Sequence, residues 1–313
     1  MPHNLLWTLE KLLNALDSYL CLDGGDVHKS KEEQFGDILI SDSESIAKRM
    51  RMCFELKALN TNSAIDALNR GLLMSASSLL RHEIAYVLGQ MRNRYAVRYL
   101  VNVLEDKEED VIVRHECCEA LGAIADIDTI PIVEKYCNDS AVEIAETAQL
   151  ALECIKMAQS EQKIARSKYN SVDPAPSFED ISDLDTLRAI YLSESDSLFR
   201  RYRAMFTLRD IGSDEAVHIL CCGLKDKSAL FRHEVAFVLG QMMNEHGISE
   251  LSRVLKDDAE NSMVRHEAAE ALGAIAKDEC KAIIREHIDD HQVVVKESCI
   301  VADDLYQFWT TQT

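Results

Sequence analysis

From about residue 43 onward, apolar positions recur at spacings of three and four residues, the period of a helix with one buried face. The pattern predicts helices near 44–58 and 62–73, one opened by His82, one near 94–105, one opened by His115, one near 129–137 and a longer one from Val142 to about Met157. Helix pairs recurring every thirty-odd residues, each too small to bury its own apolar stripe, are the signature of an α-solenoid. Residues 158–182, with Pro174, Pro176 and many Ser and Asp, interrupt the pattern and read as a linker. Beyond them it returns: RRYRAMFTLRDIG at 200–212 answers KRMRMCFELKALN at 48–60, and DDHQVVVKESC at 289–299 answers NDSAVEIAETA at 138–148. The expected fold is therefore all-α, two tandem lobes of four helix pairs each, at 41–157 and 183–313. Such a duplicate can fold back so that equivalent surfaces face each other across a pseudo-two-fold axis. Residues 1–40 are expected to be an extension, with one helix from Leu5 to Leu20 and a polar tether ending near Gln34.

Within this pattern one phrase occurs four times: Arg81-His82-Glu83, Arg114-His115-Glu116, Arg232-His233-Glu234 and Arg265-His266-Glu267. RHEIAYVLGQM (81–91) matches RHEVAFVLGQM (232–242), and VRHECCEALGAIA (113–125) matches VRHEAAEALGAIA (264–276). The histidines of each half lie 33 residues apart, and the second set follows the first after 151. Repeat consensus normally preserves apolar packing positions, so an ionisable pair that recurs needs a chemical reason.

Equivalent positions of stacked repeats lie roughly 10 Å apart. His82 and His115 can thus meet one metal ion, and His233 and His266 another. With Glu116 and Glu267 directly after their histidines, each half offers two nitrogens and a carboxylate while leaving coordination positions open, a set that suits non-haem Fe(II) and oxygen chemistry. Adjacent helical residues diverge by about 100°, so a His and the Glu beside it need not reach the same ion. The four glutamates can therefore split, two as ligands and two holding substrate or orienting the shell. The zinc-protease helix is excluded, because the position four after each histidine is Tyr86, Glu119, Phe237 or Glu270. Cys117 and Cys118 correspond to Ala268 and Ala269, which makes them packing residues rather than ligands. Glu119 and Glu270 fit either support of the metal shell or a solvated helix face, with the solvated face preferred.

Gly89 and Gly240 lie seven residues after His82 and His233 and share their helical face. A helical Gly costs about 1 kcal/mol against Ala, so it asks for close helix packing or close approach of a ligand. Gly122 and Gly273 hold the same place in the other two copies, where packing is the expected reason.

Composition narrows the setting. The net charge of −20 argues against nucleic acid, which needs clustered Lys and Arg, and suits a cationic ligand. No apolar run reaches the roughly 18 residues of a membrane span, and the first 30 residues lack a signal-peptide pattern, so a cytoplasmic location is expected. Ten scattered cysteines without CxxC pairs read as reduced thiols.

Four His-Glu pairs spaced 33, 118 and 33, with LGQM and EALGAIA continuations, resemble the deoxyhypusine hydroxylases, a family built on HEAT-like repeats. The resemblance spans about 45–305. It implies a di-iron monooxygenase that uses O2 to hydroxylate the deoxyhypusine side chain of translation initiation factor 5A, completing hypusine. It implies iron ligation by His82, His115 and Glu116 at one Fe(II) and by His233, His266 and Glu267 at the other. Glu83 and Glu234, Gly89 and Gly240, and Met263 fall on the family's substrate-contacting positions. Deoxyhypusine carries two amines on a flexible arm, which Glu83 and Glu234 could clamp. The competing expectations are a HEAT-repeat scaffold closed by a structural metal and a repeat-built lyase acting on bilins.

Overall fold

The computed structural model describes residues 29–160 and 168–311. The helix expected at Leu5–Leu20 lies outside the described residues. Among those described there are sixteen α-helices and no strand, in eight antiparallel pairs. The first lobe contains α1 (Lys31–Leu39), α2 (Ile46–Leu59), α3 (Asn62–Met74), α4 (Ser78–Met91), α5 (Val97–Glu105), α6 (Val111–Ile124), α7 (Ile130–Val133) and α8 (Val142–Ala158). The second contains α9 (Leu184–Tyr191), α10 (Leu198–Ile211), α11 (Asp214–Cys222), α12 (Ala229–Met242), α13 (Ile248–Lys256), α14 (Ser262–Ile275), α15 (Asp278–Glu286) and α16 (Val293–Thr311).

Even-numbered helices form the inner layer and odd-numbered ones the outer. The phase differs from the sequence reading. Residues 31–39 are not a tether: α1 is the outer helix of the first pair, capped by Ser30 and buried through Phe35 and Leu39. Its identity as a repeat element shows in one recurring bond. Arg49, Arg114, Arg201 and Arg265 each donate Nε to the carbonyl ten residues back, at Leu39, Leu104, Tyr191 and Leu255, at 2.9–3.1 Å. Each guanidinium thus satisfies a last-turn carbonyl of an outer helix and locks it to the following inner one. The Arg before His82 and His233 does related work, with Arg81 gripping Glu109 and Arg232 gripping Glu260 through two hydrogen bonds each. The arginines of the recurring phrase are therefore structural.

Helix α16 packs on α2 and α4, and α8 packs on α10 and α12, so the two lobes close into a ring. Both seams carry the same bond: Ser77 Oγ donates to Glu297 at 2.6 Å, and Ser228 Oγ donates to Glu146 at 2.6 Å. These four residues are related by the 151-residue repeat, which is the pseudo-two-fold axis expressed in side chains. Ser77 and Ser228 are also the N-caps of α4 and α12, each accepting from a backbone N–H three residues on.

Residues 168–182, part of the expected linker, run as a strap packed against both lobes. Gln90 pairs with the backbone of Val172 in both directions, at 2.8 and 3.0 Å. The fully buried Arg209 holds both carboxylate oxygens of Asp173, at 2.9 and 2.7 Å, and donates to Gln241 at 2.8 Å. Arg203 donates to the carbonyl of Pro176 at 3.1 Å. The Ser, Asp and Pro content that reads as a loose tether instead supplies hydrogen-bonding groups and fixed φ angles for a pinned segment.

Candidate metal centre and substrate cavity

Each of the four histidines is the fifth residue of its inner helix, one turn beyond the N-cap. The helices begin four residues earlier than the motif, at Ser77, Asp110, Ser228 and Asn261, whose side chains accept from the first-turn N–H groups. The ring then brings all four imidazoles to its axis. Ring centroids of His82 and His115 are 5.5 Å apart, those of His233 and His266 5.4 Å. Across the lobes, His82 lies 5.2 Å from His266 and His115 5.5 Å from His233.

Two of the four glutamates close on this cluster in the same way. His82 Nε2 is 3.4 Å from a Glu116 oxygen, and His233 Nε2 is 3.4 Å from a Glu267 oxygen. Donor atoms of His82, His115 and Glu116 all lie within 4.8 Å of one another, as do those of His82, His233 and His266. All eight imidazole nitrogens are buried with no hydrogen-bond partner. A buried polar atom left unpaired costs about 1–3 kcal/mol, and each neutral imidazole has one nitrogen lone pair and one N–H, so four free lone pairs converge here and ask for something to occupy them. A metal centre fits that donor set of imidazoles and carboxylates.

Electrostatics agree. Burial, and then the neighbouring imidazoles, depress His115 and His266 well below the ordinary histidine range, and burial with the charge of His82 lowers His233 to about 4. These rings are neutral at physiological pH, the form that binds metal. Burial also acts on His82, but the carboxylates of Glu116 and Glu83, each 3.4 Å from one of its nitrogens, outweigh it and raise its pKa. Burial raises Glu83, Glu119, Glu234, Glu267 and Glu270, and neighbouring carboxylates lift the first four further.

Above the histidines lies a cavity of about 80 Å³. Glu83, Glu116, Glu119, Glu234, Glu267 and Glu270 all line it, together with Tyr86 and Phe237, which meet edge to face at 6.0 Å. Glu119 and Glu270 are thus not on a solvated face: the ring turns the second carboxylate of the His115 and His266 repeats inward. Val172, Asp173 and Pro174 of the strap complete one wall. Nothing in the local sequence marks those three except the Asp-Pro-Ala-Pro run that pins them.

Gly89, Gly240 and Met263 are not among the cavity-lining residues. A Cβ on Gly89 would come within 2.8 Å of Ala120 Cα, and one on Gly240 within 3.0 Å of Ala271 Cα. Gly122 and Gly273 face Ala151 and Ala302 in the same fashion. Close helix packing thus accounts for all four glycines, and through it for the separation of the histidines on neighbouring helices. Met263 is buried at the start of α14, where its N–H bonds the Asn261 cap.

A closed ring of helical repeats around a buried cluster of histidines and carboxylates defines a repeat-built protein with a candidate metal centre. Residues 70–153 and 220–302 match the HEAT repeats family, and residues 200–226 match the PBS lyase HEAT-like repeat. The chain is 45% identical to deoxyhypusine hydroxylase of Drosophila melanogaster over 283 residues, covering 90% of this chain and 93% of the other. It is 44% identical to the Homo sapiens deoxyhypusine hydroxylase, over 91% of this chain and 94% of that one. The solved structure of human deoxyhypusine hydroxylase in complex with glycerol superposes with a TM-score of 0.86 at 42% identity, covering 94% of this chain and 99% of the other. The chain belongs to the deoxyhypusine hydroxylase family, whose activity is the hydroxylation of deoxyhypusine. The scaffold and bilin-lyase expectations give way to this enzyme. Among the described residues no helix is long and apolar enough to cross a membrane, and nine cysteines are free.

Proposed function

We propose that the cluster holds two iron ions, His82, His115 and Glu116 serving one and His233, His266 and Glu267 the other, and that the chain hydroxylates the deoxyhypusine of translation initiation factor 5A with O2. The observation that carries this reading is the set of four buried imidazoles with no hydrogen-bond partner, flanked at 3.4 Å by Glu116 and Glu267 in equivalent places and by Glu83 on the Nδ1 side of His82. Bound Fe(II) would supply the O2 activation that no side chain provides, which an unactivated C–H bond requires.

The rest falls to the protein. Glu83 and Glu234 hold the cationic arm, since each lines the cavity and, buried where its charge is disfavoured, gains from pairing with an ammonium. Tyr86 and Phe237 limit the space above the metals and keep water from the reacting carbon. The acidic chain as a whole attracts a lysine-borne cation. The free cysteines support a reducing compartment, and we place the enzyme in the cytoplasm.

Incubating iron-loaded protein with deoxyhypusine-bearing factor and O2 should add one oxygen, about 16 Da, to the factor. His82→Ala or His266→Ala should abolish that gain while the protein stays helical. Undiminished activity in either variant would refute the ligand assignment.

A further inference from the structure

The two halves of the cavity are related by the pseudo-two-fold, yet they are not alike. Toward α2 and α16 the wall is apolar: Phe54, Val301 and Leu305 line it, and Val301 and Leu305 are partly exposed. Their repeat equivalents on the other side, Phe206, Leu150 and Cys154, do not line the cavity. The strap stands there instead, with Val172, Asp173 and Pro174. Even the arginines differ. Arg51 reaches across the seam to Asp304 at 3.2 Å, whereas its equivalent, Arg203, turns to the strap carbonyl of Pro176.

The carboxylates follow the same division. Glu270 meets α16 through Ser298, Asp173 belongs to the strap, and Glu119, which stands 151 residues before Glu270, holds the equivalent place on the strap side, as Glu234 does for Glu83. Glu270 is held by Ser298 Oγ at 2.9 Å. The equivalent hydroxyl, Thr147 Oγ1, donates to the Glu143 carbonyl of its own helix, at 2.7 Å, and leaves Glu119 without a hydrogen-bond or ion-pair partner among the described residues. Glu234 is 97% buried, lines the cavity and is likewise unpartnered there. Asp173 is already neutralised by Arg209. One end of the cavity is therefore open and apolar, with Glu270 held by Ser298 and Glu83 3.4 Å from His82 Nδ1, and the other is walled, with two carboxylates that have no such partner among the described residues.

We propose that this asymmetry fixes the direction of the substrate arm: Glu119, with Glu234, is the binding site for the terminal primary ammonium, and the strap from Ser171 to Pro174 is the end stop that seats it there. The proposal rests on the hydroxylase reading and adds Glu119 as a specificity residue. A deoxyhypusine arm is an apolar lysine stem, a secondary ammonium and an aminobutyl tail ending in a primary ammonium. Its stem matches Phe54, Val301 and Leu305, and its secondary ammonium comes to the Glu83 and Glu270 end. The primary ammonium loses the most water on entry and needs the most unpaired negative charge to offset that loss. With direction fixed, one carbon of the tail faces the metal cluster rather than its mirror position.

The test compares factor carrying deoxyhypusine with factor carrying an N-butyl-lysine, which keeps the secondary amine and lacks the terminal one. Binding to iron-loaded protein without O2 is measured by calorimetry, and hydroxylation by mass, for wild type, Glu119→Gln and Glu270→Gln. Wild type should prefer deoxyhypusine about tenfold or more, the worth of a hydrogen bond to a charged group. Glu119→Gln should reduce that preference to near unity, and Glu270→Gln should keep it. Loss of preference in Glu270→Gln alone would reverse the direction and overturn the proposal, and equal behaviour of the two variants would overturn it by removing any polarity. Gln90→Ala, which unpins Val172 without touching a carboxylate, should lower the preference in part. Wild type that binds and hydroxylates neither factor would refute the hydroxylase reading itself, and the proposal with it.

Discussion

His82 lies closer to His266 of the opposite lobe, 5.2 Å between ring centroids, than to His115 of its own, at 5.5 Å. The histidines therefore form one cluster shared by the lobes rather than two separate pockets, and whatever binds them ties the ring shut. Because the unfolded chain does not present that donor set, metal binding adds to stability by mass action, about 2.7 kcal/mol at a hundredfold excess over Kd. Chelation should lower the thermal midpoint, and stoichiometric Fe(II) should restore it.

The pH dependence of the metal-free protein follows from its buried carboxylates. Glu83, Glu119, Glu234, Glu267 and Glu270 are raised above their ordinary value by burial, as His82 is raised by its carboxylate neighbours. A group raised on folding binds more protons in the native state, so the stability it contributes is lost as pH rises through the folded value. His233, lowered to about 4, acts oppositely, but only below the ordinary histidine pKa of 6.5. Metal-free protein should accordingly melt at a lower temperature at pH 8.5 than at pH 6.5. Metal-loaded protein should lose this trend, because bound cations replace the protons. Calorimetric melts at both pH values decide it; a metal-free midpoint that rises with pH would show that these carboxylates are ionised in the fold.

Gly89→Ala should cost roughly 1–3 kcal/mol, since the new Cβ meets Ala120 backbone that cannot swing aside. It should also lower metal content, because pushing α4 from α6 separates His82 from His115. A denaturant melt with a metal assay on the same preparation checks both. Lost stability with full metal content would separate helix packing from the centre.

At Ala276, which ends α14 at φ 54°, the backbone is left-handed, as it is at Gly212 after α10. An L side chain pays roughly 1 kcal/mol there. Ala276→Gly should raise the thermal midpoint without altering activity, and a lowered midpoint would mean that the methyl group packs more than it strains.

The helices and their duplication were legible because a 3.6-residue period survives in every repeat, and the four histidines because an ionisable phrase recurs where packing alone would not preserve it. Three features were not. The helix at Lys31–Leu39 follows a Gly and Lys-rich run that hides its short apolar face. The inward turn of Glu119 and Glu270 depends on ring closure, which brings α2 beside α16 and no local pattern encodes. The strap reads as a tether because Ser, Asp and Pro serve equally in loose and pinned segments; partners distant in sequence, among them Gln90, Arg203, Thr207 and Arg209, make it a wall. Gly89 and Gly240 show the converse, a signal that was visible and had two meanings until the distances to Ala120 and Ala271 assigned packing to both.

The most direct test of the account is the iron content of anaerobically purified protein, counted per chain alongside His82→Ala and His266→Ala. The account predicts two irons in the wild type and fewer in each variant. No iron, or one tightly held zinc that survives both substitutions, would contradict it.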